Sequence, residues 1–300
     1  MKKSLWILLI IGIILTLVGG VVFVVGFAST GWNYKALAAT QVETVRYTES
    51  AENPLTSLTL DFENSDISVV FDETAESVIV DYPLLQNKKG KNLSKITVNE
   101  TDGNLILIEK IDNWRVGMWD FTSPKVLVTL PASRVYALAI DTDNGDVKLT
   151  GAGQTTNVGI NTDNGDIKIT GIACENAITL NTDNGEMFLE NITAKTLTVE
   201  TDNDDIRMYG NILAEHIEME TDNGAITAEN GAIDGKNLIF ESDNGDIKLR
   251  LAGKQADYAI LVETENGKCN VSPTLNASPN SRNFKADSSN GDILLTFVAE

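Results

Sequence analysis

Asp141-Thr142-Asp143-Asn144-Gly145-Asp146-Val147-Lys148-Leu149 is a word that this chain repeats about every twenty residues. Anchored on its asparagine, it recurs at Asn144, Asn164, Asn184, Asn203, Asn223, Asn244, Asn266 and Asn290, with spacings of 20, 20, 19, 20, 21, 22 and 24. A near-fixed period of this length marks a repeat architecture, in which one short unit buries its apolar side only by stacking on its neighbours.

The interior can be read from parity. Six and four residues before each asparagine, and three and five after it, every copy is apolar: Leu138, Ile140, Val147 and Leu149 in the first, Val158, Ile160, Ile167 and Ile169 in the second. Between these positions stand mostly Asp, Glu, Asn, Lys and Thr, such as Asp141, Lys148, Asn161, Lys168, Glu200 and Arg207. This is the alternation of strands with one buried and one wet face. The parity slips by one at the asparagine, so the chain turns there. Asn144 and Gly145, Asn164 and Gly165, Asn184 and Gly185, Asn223 and Gly224, and Asn244 and Gly245 read as structural turns. Glycine permits positive φ there, and asparagine tolerates it better than most residues.

Two architectures fit. In a meander each Asn-Gly is a hairpin turn, with Ile140 opposite Leu149. In a β-solenoid it is a corner, and equivalent residues of successive coils lie about 4.8 Å apart. Only stacking explains identical side chains at one corner of every unit, because Asn above Asn and Thr above Thr can bond as ladders. The expected fold is all-β: one β-solenoid (β-helix) of about 20-residue coils, preceded by one transmembrane α-helix.

That helix is read from Leu5 to Phe27, which carry no charge. At about 1.5 Å per residue they reach about 35 Å, enough for a bilayer core of about 30 Å. Lys2 and Lys3 precede the run and the next basic residue is Lys35, which puts residues 1–4 in the cytoplasm and the repeats outside. A cleaved signal peptide ending near Ala36-Leu37-Ala38 is the competing reading, but the apolar run is too long for one. Residues 28–54 read as a stalk, 55–135 as irregular first coils and 136–300 as the regular repeats. In the irregular part, Leu58, Leu60, Ile67 and Val69 surround Asn64-Ser65-Asp66 as one degenerate copy, and Ile96, Val98, Leu105 and Leu107 surround Asp102-Gly103 as another. Trp114, Trp119 and Phe121 are expected to plug the open first coil. The coil around Asn290 is expected to end the stack, covered by the Pro-containing insertion from Ser272 to Asn283.

The string from Thr162 to Gly171, preceded by the Val-x-Val-x-Leu-Pro strand at Val126 to Pro131, resembles the bacterial putative-adhesin family of β-strand repeats over roughly Leu55 to the C-terminus. That resemblance implies a β-solenoid, often behind one membrane helix, in surface or envelope-stress proteins. It implies no catalytic residues and supplies no ligand.

A net charge of −20 argues against nucleic acid as a partner. His216 is the one histidine, and no zinc set can be assembled around it. Cys174 and Cys269 fall in different columns, so no disulfide is expected, and Cys269 reads as a small core residue. No Ser-His-Asp set or phosphate-cradling loop emerges. The one sharp chemical feature is the acidic corner. Stacking would align Asp143, Asp163, Asp183, Asp202, Asp222 and Asp243 in one column, continued by Glu265, and Asp146, Asp166, Glu186, Asp205 and Asp246 in a second. Unit charges 4.8 Å apart repel by roughly 3.5 kcal/mol at an effective dielectric of 20. Ca²⁺ bound between coils would relieve that repulsion, and so would solvent screening or bonds from turn amides. Two functions remain: a non-enzymatic, membrane-tethered surface module that meets a protein or glycan partner, with Phe188, Tyr209, Ile239 and Leu261 as candidate contacts, or a polysaccharide-active β-helix enzyme. The near absence of insertions in most coils favours the first.

Overall fold

The computed structural model describes Val25, Ala28 and residues 40–111, 124–274 and 281–298. From Thr40 onward the described chain consists of strands and turns, with one 3-10 turn at Gln255–Asp257. The strands are β1 (Thr40–Thr48), β2 (Ser57–Phe62), β3 (Asp66–Asp72), β4 (Ile79–Asn87), β5 (Ser94–Thr101), β6 (Asn104–Ile111), β7 (Lys125–Pro131), β8 (Val135–Thr142), β9 (Val147–Thr162), β10 (Ile167–Thr182), β11 (Met187–Thr201), β12 (Ile206–Thr221), β13 (Ile226–Glu229), β14 (Ile233–Asp234), β15 (Asn237–Ser242), β16 (Ile247–Ala252), β17 (Tyr258–Thr264), β18 (Arg282–Ser288) and β19 (Ile293–Val298).

Through the regular repeats every pairing is parallel and joins equivalent residues. Ile140 lies beside Ile160, Ile160 beside Leu180, and Leu180 beside Val199. This is a solenoid and not a meander, since Ile140 meets its counterpart one coil away rather than Leu149. Of the inward positions read from parity, all but Ala228, Cys269 and Val271 are buried, and they form one continuous aliphatic core.

The coils from Asn144 to Asn223 each have three straight runs. In the second coil the first run carries Val158 and Ile160 inward, the second Ile167 and Ile169, and the third Ile172 and Cys174. The bend between the second and third runs is a left-handed one: Gly151 (φ 111°), Gly171 (74°), Asn191 (53°), Gly210 (64°) and Asn230 (51°) occupy it in successive coils. Glycine and asparagine are the residues that adopt this region at least cost. At the Asn-Gly corner the expectation of positive φ is wrong, because none of its glycines has one. They are required by proximity. A Cβ on Gly165 would lie 2.1 Å from the Gly145 carbonyl oxygen, and one on Gly185 would lie 2.0 Å from that of Gly165.

Both ends depart from the simple stack. The copy around Asn64 is a true coil, but the one around Asp102-Gly103 is an antiparallel hairpin of β5 and β6, with both turn residues at positive φ (49° and 76°). Leu105 and Leu107 are buried there, whereas Val98 is 38% exposed. β6 covers the outer edge of β2, and β7 that of β3. Within the stretch expected as a stalk, β1 pairs antiparallel with β4, which pairs in turn with β7. Where that sheet ends, Glu49 is buried, held by Arg134 (2.6 and 2.8 Å) and by the Leu55 and Val78 amides.

At the other end β18 and β19 lie against β15 and β16, and β17 is outside β18. The coil of Asn290 therefore sits inside that of Asn266, not at the end as expected. Thr274 closes part of the outer edge through an antiparallel bridge to Ile260. Residues 5–27 apart from Val25, together with Trp114, Trp119, Phe121 and residues 275–280, lie outside the described residues. No helix among those described is long and apolar enough to cross a membrane.

Candidate functional site

The corner is bound together by three ladders. Each asparagine side chain donates from Nδ2 to Oδ1 of the one below, along Asn64, Asn144, Asn164, Asn184, Asn203, Asn223, Asn244, Asn290 and Asn266, at 2.8–3.0 Å. Inside it, the buried hydroxyl two residues earlier donates to a corner carbonyl of the neighbouring coil: Thr162 to Gly145 (3.2 Å), Thr182 to Gly165 (3.1 Å), Thr201 to Gly185 (3.2 Å) and Ser242 to Gly224 (2.9 Å). Outside it, the carboxylate two residues after the asparagine accepts the amide of its counterpart. Asp146 takes Asp166 N–H (3.1 Å), Asp166 takes Glu186 N–H (2.9 Å), Asp205 takes Ala225 N–H and Asp246 takes Asp292 N–H (both 2.8 Å). The last is held below the usual carboxylate range, first by Lys248 and then by the Asp292 amide.

The other acidic column is different. Asp143, Asp163, Asp183, Asp202, Asp222 and Asp243 are exposed, and it is their main-chain carbonyls that bond across coils, for instance to Asn164, Asn184 and Asn223 N–H at 2.9–3.0 Å. Partial burial raises the Asp143 carboxyl above its ordinary value, and Asp163, Glu63, Asp141 and Asp61 add to the rise. Glu220 is raised in the same way by burial and by Glu200, Glu241, Asp222 and Glu218. The face carrying the first run is thus acidic along its length. Among the described residues no group of three or more His, Cys, Asp or Glu is placed to hold a metal ion.

The face of the second run is mixed. Phe188 and Tyr209 stack at 4.8 Å between ring centroids, with Lys168 Nζ 3.9 Å from the Phe188 centroid. Arg207 pairs with Glu186 and Asp205, both at 3.0 Å. On the acidic face near the C-terminal end, an open groove of about 540 Å³ has Ile239, Ala259 and Leu261 along it, with His216 and Lys285 at its rim. His216 Nδ1 lies 2.9 Å from Asn237 Nδ2.

A family model described as Toastrack DUF4097 matches residues 55–296. The chain belongs to the Toastrack DUF4097 family. No curated protein matches it. Among solved structures, a Bacteroides fragilis protein described as a putative adhesin is similar at 16% identity over 86% of this chain and 97% of that one, with a TM-score of 0.44. A Clostridium sporogenes protein described as a putative cell adhesion protein shares 11% identity over 86% and 100%, at 0.33. A Parabacteroides distasonis protein described as a putative lipid binding protein shares 11% over 86% and 96%, at 0.32. Likenesses this distant carry no argument about what the Toastrack chain binds.

The Toastrack coils differ from the sequence reading in three respects. Threonine counted as an outward type, although Thr142, Thr162, Thr182, Thr201 and Thr221 are buried and share the inward parity of the apolar residues before them. The left-handed bend was passed over, although Gly or Asn seven residues after each asparagine marks it in five successive coils. Cys269 is exposed rather than a core residue, because its coil is the outermost; it and the buried Cys174 are both free thiols. Leu261 is 39% exposed, whereas Phe188, Tyr209 and Ile239 are half-buried.

Proposed function

We propose that this Toastrack chain is a non-enzymatic, membrane-tethered cell-surface module, adhesin-like or an envelope-stress scaffold, which holds a rigid β-solenoid out to a protein or glycan partner. One observation carries the reading: the residues repeated in every coil are spent on coil-to-coil bonds, through the Asn ladder, the Thr hydroxyls and the inner Asp column. Repetition here serves rigidity, so recognition falls to residues that differ between coils. Phe188 and Tyr209 are such residues, on an open sheet face among cations. Aromatic and arginine side chains are over-represented among the residues that dominate binding.

The tether is Leu5 to Phe27, with residues 1–4 cytoplasmic and the repeats extracellular, a single-pass arrangement that rests on the charge asymmetry around the apolar run. Capture of cell-envelope proteins and glycans by the full-length chain tests the reading, with Phe188→Ala/Tyr209→Ala alongside. Specific capture lost in the double variant supports it. Reproducible turnover of pectins, glucans or peptidoglycan by the purified chain would instead establish the polysaccharide-active enzyme, and protease-resistant repeats on intact cells would overturn the topology.

A further inference from the structure

On β6 the inward positions are Leu105, Leu107 and Glu109, next to Leu58, Leu60 and Phe62 of β2. In the regular coils the last inward place is a threonine or serine whose hydroxyl finds a corner carbonyl one coil away. Among the described residues β6 is the outermost parallel rung on its face, with the antiparallel β5 beyond it, so no further coil there offers a partner. Glu109 is only 3% exposed, and neither carboxylate oxygen has a hydrogen-bond partner within bonding geometry. A buried carboxyl without a partner is stable only when protonated. The polar groups around it give little relief. The Glu63 carboxylate beside β2 accepts Ile111 N–H and brings negative charge, while Glu63 N–H and the Ser94 hydroxyl of β5 are donors that face the Glu109 carboxyl without completing a bond to it. Lys110, the adjacent cation, lies on the exposed side of β6, toward Asp61.

We propose that Glu109 is a proton-operated latch: protonated, it lets the β5–β6 hairpin close over the edge of β2, and ionised, it drives the hairpin off and bares the Ser57–Phe62 edge. Burial pushes this carboxyl from its ordinary 4.5 up to about 7; the Glu63 N–H opposes the rise, the negative charge of Glu63 adds to it and the Ser94 hydroxyl opposes it. The sign follows from linkage. The closed state holds the proton more tightly than the open one, so closure is strongest below the open-state value, weakens as pH rises toward 7 and is constant above it. Between these limits the opening equilibrium grows about tenfold per pH unit. A bared parallel edge is a template for another strand, which would couple envelope pH to what the module pairs with.

The test is hydrogen exchange of the full-length chain in detergent from pH 4.5 to 8, corrected for intrinsic exchange rates. Protection of residues 94–111 is expected to fall between pH 4.5 and 7 and then level off, while β10–β12 stay protected. Glu109→Gln should show a flat profile, and Glu109→Leu, which continues the Leu105 and Leu107 row, should keep the hairpin closed at pH 8 should the Gln variant fold poorly. Constant protection of β6 in the parent across this range, the parent's pH dependence persisting in either variant, or equal loss in β10–β12 would each overturn the proposal.

Discussion

Replacing Gly185 by alanine tests the claim that proximity, and not backbone conformation, puts glycine at the corner. The added Cβ would stand 2.0 Å from Gly165 O and 2.6 Å from its carbonyl carbon. To reach even the tightest contact that real Cβ atoms make, about 3.0 Å, the two coils must separate at the corner by about 1 Å. Four of the bonds that cross that gap lie at the corner itself: Asn184 Nδ2 to Asn164 Oδ1 (3.0 Å), Asn184 N–H to Asp163 O (2.9 Å), Glu186 N–H to Asp166 Oδ1 (2.9 Å) and Thr182 Oγ1–H to Gly165 O (3.1 Å). Lengthened by about 1 Å, none remains a hydrogen bond. At about 1 kcal/mol net for each, the expected cost is about 4 kcal/mol. Gly159→Ala is the control, since its Cβ meets nothing within 4 Å and its φ is not positive. That change should lie within about 0.5 kcal/mol of the parent or stabilise it slightly. Urea unfolding followed by circular dichroism compares the three proteins. Equal midpoints for Gly185→Ala and Gly159→Ala would refute the proximity argument.

Asn184→Ala breaks two rungs of the asparagine ladder and should cost about 1–2 kcal/mol in the same assay. Asn184→Asp should cost more, because it cannot donate to Asn164 and sets a new charge beside Asp183; a milder effect for Asp than for Ala would count against the ladder. Glu49→Gln leaves the partly exposed Arg134 without its counter-charge and weakens the charged bonds to it and to the Leu55 and Val78 amides, with an expected loss of about 1.5–3 kcal/mol by thermal or urea melting. Although burial works to raise the Glu49 carboxyl, Arg134 and the Leu55 and Val78 amides together hold it below its ordinary value. Its contribution is therefore present at neutral pH and lost as pH falls through the folded-state value, a dependence that Glu49→Gln should lack. Millimolar calcium should leave the melting temperature unchanged, because one acidic column already takes amide bonds and the other faces water; a rise abolished by chelator would show that the exposed Asp column binds the ion. A thiol reagent under native conditions should label Cys269 and spare Cys174.

The repeats were legible because a solenoid writes the same instruction in every coil. Leu138, Val158, Ile178 and Leu197 are apolar for one shared reason, and the parity slip at each asparagine marks the corner. What escaped was information that a periodic word cannot carry. Nothing in Ser-Asp-Asn-Gly at Asn244 or Ser-Ser-Asn-Gly at Asn290 says which coil stacks on which, so the exchange of the last two coils, and with it the exposure of Cys269, was hidden. At the N-terminal end, buried Glu49 and Glu109 look like ordinary surface carboxylates, because the strands that bury them come from distant, irregular sequence. Asp102-Gly103 resembled a corner and is a hairpin turn, since a turn-forming dipeptide does not reveal which strand its flanks will join.

The exchanged order has a mechanical consequence. In a one-dimensional stack, removing the last repeat costs one interface and leaves the others intact. Here residues 281–300 supply β18 and β19, which stand between the coil of Asn244 and β17. Their deletion removes the only strand-length partner that β17 has among the described residues and uncovers the inward residues Leu238, Phe240, Ile247 and Leu249 at once. Deletion of residues 255–274 strips only the outermost layer. Ending the chain at residue 280 should therefore abolish exchange protection at Tyr258–Thr264 and weaken β15 and β16, a larger loss than removing 255–274 with a short linker in its place. Were the coils stacked in chain order, β17 would keep its partner after the first deletion and the ranking would reverse. Hydrogen exchange on the two shortened chains distinguishes these cases, and persistent protection of β17 without residues 281–300 would rule out the interleaved end.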